Sequence, residues 1–152
     1  MSEDGERLLL NKATWLAREI LSVFQLTGWD VAIALDDRDR EDGVQAIVEA
    51  FDEYEKALIT LFPVNIDGDD ELVRVMIHEM IHVLLSPVFR IAEYTEGLGN
   101  LLHYSSERTT LRVERAIRNL GLHDSLLEKM KLAFGEVSDE AESRADREQP
   151  EV

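Results

Sequence analysis

"VRVMIHEMIHVLLSP" spans residues 73–87, and its apolar residues recur all around a helical axis. From Asp70 to Ser86, Leu72, Val73, Val75, Met76, Ile77, Met80, Ile81, Val83, Leu84 and Leu85 point in nearly every direction, which predicts a helix inside the domain. Pro87 is expected to end it. The polar residues are confined to one stripe: Glu71, Arg74, His78, Glu79 and His82 fall three or four apart. An interior helix with one polar face has to line a cleft.

His78 and His82 stand at i and i+4, so their Cβ atoms are roughly 5–6 Å apart and both imidazoles can converge on one ion. Glu79 is rotated about 100° from His78, off the ligand line but within reach of a water on that ion. Neutral imidazoles, an open coordination position and an adjacent carboxylate are what a hydrolytic zinc site requires. Zinc lowers the pKa of bound water from 15.7 to about 7, so Glu79 is expected to act as general base toward a zinc-bound water and then protonate a departing amine. The accidental alternative is weak, because the five-residue pattern arises on the order of once in a few hundred chains of this length. A buried helix also has little reason to carry three ionisable groups uncompensated.

Outward from this helix, residues Glu6 to Leu26 show helical spacing, closed by Thr27-Gly28. "WDVAIAL" (29–35) alternates like a strand with one buried face. "DDRDREDG" (36–43) reads as a solvated hairpin turn rather than a calcium loop, since the glycine and distal glutamate of an EF-hand are missing. "VQAIVEAF" and "KALITLF" add two strands, and three strands on short loops predict an antiparallel meander. "NIDGDD" caps the central helix. A looser region is expected over 88–104, then a helix capped by Ser105 or Ser106 and closed by Gly121, and a short helix from Asp124 to Phe134 closed by Gly135. The fold class predicted is α+β: a three-stranded, mostly antiparallel sheet packed on an N-terminal helix, the histidine-bearing helix and a C-terminal glutamate-bearing helix, in one domain over residues 1–135.

Composition narrows the chemistry. Of 152 residues, 45% are hydrophobic and 32% charged, enough for a folded core. Cysteine is absent, so any metal falls to His, Asp or Glu. The net charge of −16 argues against nucleic acid and against an anionic membrane surface as partners. Residues 136–152 hold seven acids against two arginines and read as a disordered tail. "MSEDGERLLL" is neither a secretory signal nor a membrane span, which leads to the expectation of a cytoplasmic protein, taken as a monomer.

His78-Glu79-Met80-Ile81-His82 resembles the HExxH signature of the zincin metallopeptidases. The resemblance implies a minimal zincin-like domain, one Zn2+ and a peptide or protein substrate. The metzincin continuation is missing, with Leu85 and Val88 where its glycine and histidine would stand, and the cysteine of peptide deformylases has no counterpart. Candidates for the third ligand are therefore Glu93, Glu96, His103, Glu107 and Glu114. Glu107 is preferred because it shares a helix face with Thr110, Val113, Ile117 and Leu120, and His103 stands in reserve. A glutamate some two dozen residues after HExxH is similar to the gluzincin arrangement and to short metallopeptidases of phage and actinobacteria, over Trp29 to Leu120. Where many gluzincins carry an orienting aspartate this chain has Leu111, which leaves Glu114 as a candidate for that support. The resemblance also implies that "KALITLF" is a sheet edge that pairs with extended substrate. Tyr94, His103, Tyr104 and Arg108 are candidates to stabilise transition-state charge. Two other readings stay open: a zincin-fold regulator of the phage-switch kind with one partner, and an acidic module that mimics nucleic acid.

Overall fold

Central helix and sheet are built as their patterns dictate, but connected differently from a meander. The computed structural model describes residues 2–26, 28–38, 43–93 and 99–145, with side chains described throughout except over 91–105 and 136–145. Helix α1 is Glu3–Val23; Ser2 caps it by accepting from the Gly5 N–H, and Ala13, Leu16, Ala17 and Ile20 form its buried stripe. Strands β1 (Asp30–Leu35), β2 (Ala46–Phe51) and β3 (Lys56–Leu61) form one mixed sheet in the order β1-β3-β2. Helices α2 (Gly68–Glu93), α3 (Gly99–Asn119) and α4 (Leu122–Ala145) complete the α+β fold.

The antiparallel meander is thus corrected: β1 runs parallel to β3, and only β2 and β3 pair antiparallel. β1 and β2 flank β3 instead of pairing, so the hairpin expected across "DDRDREDG" does not join them, and residues 39–42 of that stretch lie outside the described residues. Residues 36–45 need only span the roughly 10 Å between strands two places apart. The true hairpin lies between β2 and β3, where a single turn of 3₁₀ helix over Asp52–Tyr54 and Glu55 at φ 49° reverse the chain. β3 takes the centre because Ala57, Ile59 and Leu61 are apolar enough to be buried beneath the helices. "KALITLF" is consequently no edge; among the described residues the edges of the sheet are β1 and β2.

The core is formed where α1 and α2 pack on this sheet face and α4 adds Leu126 and Met130. Gly68–Arg90 has the length and apolarity of a membrane-crossing helix, yet half of it is buried within the domain, as its all-round hydrophobicity demands. Pro87 does not end α2, which continues to Glu93. A proline at this position strips the Val83 carbonyl of its helical donor. The Ser86 hydroxyl lies 2.9 Å from that carbonyl and also meets the Asp52 carboxylate. Ser86→Ala is accordingly expected to lower stability by about 1–3 kcal/mol in urea unfolding, and an unchanged midpoint would show that Pro87 needs no such support.

Helix α3 begins at Gly99 rather than at Ser105 or Ser106, so Glu107 sits in its middle and is no first-turn acid. Leu120, expected on the inward stripe, is 85% exposed just past the helix end. α4 passes Gly135, which carries no positive φ, and runs to Ala145. The acidic segment after Gly135 lies outside the described side chains, and residues 146–152 lie outside the described residues altogether.

Candidate metal centre

The polar stripe of α2 faces α3 and the free side of β2, and there the two histidines meet. His78 Nε2 and His82 Nε2 are 3.2 Å apart. From α3, the Glu107 carboxylate places one oxygen 3.3 Å from His82 Nε2 and the other 3.8 Å from His78 Nε2. Ligand atoms of His78, His82 and Glu107 all lie within 4.8 Å of one another. Donors at 2.0–2.2 Å around a tetrahedral ion are spaced about 3.4 Å apart, so the observed separations fit such an ion with little movement. Two imidazoles and a carboxylate are also a donor set that catalytic zinc sites use.

A second layer holds the rings. The neutral His78 ring can donate its Nδ1–H to Glu114 Oε2 at 3.1 Å, which turns the Nε2 lone pair toward Glu107. Glu114, only 8% exposed, accepts in turn from Arg118 at 3.1 Å. Thr110, fully buried, brings its hydroxyl to 3.4 Å from His82 Nδ1. Glu107, Thr110 and Glu114 follow one another at three and four residues along α3, the period that keeps them on one face. Thr110 was legible only as part of that stripe; no local signal marks it as a partner of His82. Leu111 points away, 51% exposed.

Glu114 is therefore placed behind His78 and not among the three converging donors. Of the remaining candidates, Tyr94 and Glu96 lie outside the described residues, and the side chains of Glu93, His103 and Tyr104 lie outside those described. Arg108 is exposed on α3. Glu114→Ala is expected to weaken zinc binding about 10- to 100-fold in competition with a chromophoric chelator; an unaltered affinity would remove Glu114 from the site.

Glu79 lines the same cleft, of about 710 Å³, with His78, His82, Glu107 and β2. It is 8% exposed. Burial pushes its carboxyl up to about 7; His78 opposes the rise and the nearby Glu107 carboxylate adds to it. A carboxyl poised near neutrality can both take and return a proton.

The cleft extends beyond the donors. It continues on one side past Ser86, Phe89 and Arg90, and on the other past Gly43, Gln45 and Arg74. Residues of β2 that alternate in direction, Ala46, Ile47 and Val48, all line it. Successive side chains of a strand share one cleft only where the cleft runs along the strand's edge. Comparisons with protein-family models, with curated proteins and with solved structures found no match.

Proposed function

We propose that the protein is a zinc-dependent peptidase in which Glu79 moves the proton. The single observation that supports this reading is the convergence of His78, His82 and Glu107 beside a buried glutamate, within a cleft bordered by an open strand edge. A bound divalent cation supplies the positive charge that polarises a carbonyl and acidifies water.

The chain's own groups do the rest. Glu114 and Thr110 hold the two imidazoles, so that their Nε2 atoms are presented together rather than searching rotamers. The free edge of β2 offers backbone donors and acceptors to an extended peptide, which places its scissile bond over Glu79. Glu79 accepts a proton from the attacking water and delivers it to the leaving amine. Its displaced titration suits both halves of that exchange.

The test is metal content and hydrolysis measured side by side. Purified protein should carry one zinc per chain and cleave peptides, lose both with a strong chelator, and regain both on zinc addition. His78→Ala should hold no zinc. Stoichiometric zinc in His78→Ala would place the ion elsewhere, and zinc-loaded wild type inert toward a broad peptide library would rule out general peptidase activity.

A further inference from the structure

The geometry points to Arg74 as the receptor for a carboxylate on the C-terminal part of the peptide, an inference that rests on the peptidase reading and names its substrate class. Arg74 stands one helical turn before His78 on the same polar stripe. It lines a recess of about 270 Å³ together with Gln45, His78 and Glu79.

The direction of the substrate follows from where Glu79 sits. The leaving amine belongs to the half of the peptide C-terminal to the scissile bond, so that half must lie on the side of the group that protonates it. Glu79 lines the central cleft and the Arg74 recess, but not the recess at Ser86 and Arg90. The C-terminal half therefore points toward Arg74. On the edge of β2, which runs from Ala46 by the Arg74 recess to Phe51, this is the antiparallel orientation.

The guanidinium is held ready. One of its terminal nitrogens contacts Gln45 Oε1 and lies 3.2 Å from Glu71 Oε1, and Gln45 is itself anchored on the Asn65 carbonyl at 2.9 Å. These bonds fix the side chain while leaving it 34% exposed. With five donors in a planar fork, arginine can satisfy them and still present an edge to a carboxylate. Among the described residues that line this recess Arg74 is the one arginine or lysine, within a chain whose net charge of −16 otherwise repels acidic ligands. A carboxylate there could be the peptide's own terminus or an Asp or Glu side chain near it.

Three probes separate these sources: N-acetyl-tetra-alanine as the free acid, its C-terminal amide, and that amide with glutamate as the last residue. Each is titrated calorimetrically into the full chain carrying Glu79→Gln, so that nothing is cleaved. The free acid, the glutamyl amide or both are expected to bind about 10- to 100-fold tighter than the neutral amide, and the tighter of the two identifies the source. Arg74→Gln should erase the difference and Arg74→Lys should retain part of it, whereas a role confined to bracing Gln45 and Glu71 would shift all three affinities together. Equal binding of the three probes, or a preference that survives Arg74→Gln, overturns the assignment. Hydrolysis by wild type without carboxylate preference overturns it alone; failure of every peptide to bind or be cleaved overturns it together with the peptidase reading.

Discussion

Glu79→Gln is expected to retain one zinc per chain and to lose peptide hydrolysis by about 10²- to 10⁴-fold, the usual contribution of a general acid–base group. The substitution is nearly isosteric, and it leaves His78, His82 and Glu107, whose donor atoms converge, untouched. Only the ability to accept and return a proton is removed. Zinc content by mass spectrometry and steady-state cleavage of the same preparation decide the matter together. Turnover equal to wild type would dismiss Glu79 as the base, whereas loss of zinc would mean that the glutamate holds the ion instead of serving it.

The same residue should govern how the metal-free protein responds to pH. The Glu79 carboxyl titrates near 4.5 when exposed and at about 7 in the folded chain, so the folded state binds the proton more tightly. The stability this confers is fully present below pH 4.5 and is lost as pH rises through 7. At about 1.4 kcal/mol per pH unit the loss amounts to ~3 kcal/mol. Like-charge repulsion within a chain of net charge −16 acts in the same direction, so the difference between wild type and Glu79→Gln isolates the residue. In urea unfolding of the metal-free proteins, Glu79→Gln should gain on wild type progressively from pH 4.5 to 8. Parallel stability curves across that range would show that the buried carboxyl carries no such burden. A buried glutamate whose ionisation costs stability is the pattern expected where function, not folding, selects the residue.

Much of the α2 helix is legible in the sequence alone. Its all-round hydrophobicity demanded an interior position, and Leu72, Val73, Met76, Met80 and Ile81 are fully buried. The facing of His78 and His82 is local too, since a helical period alone sets residues one turn apart on one line. Glu107 could be singled out because a polar residue on an inward stripe needs a reason to be there. Other features were local in appearance only. Pro87 reads as a stop, yet the chain continues as helix where Ser86 and Asp52 meet behind it, and Asp52 is 34 residues away.

The sequence by itself determined periodicity: which faces of which segments are apolar, and that two imidazoles and a glutamate share one turn of an interior helix. Tertiary structure alone decided adjacency. It placed β3 between β1 and β2, so that β2 became the open edge over the cleft, and it set Glu114 behind His78 across 36 residues. Periodicity is a property of neighbouring dihedrals and survives in any fold. Strand order and the partners of a buried polar group depend instead on how whole faces pack, and competing arrangements differ there by burial that no short stretch of chain encodes.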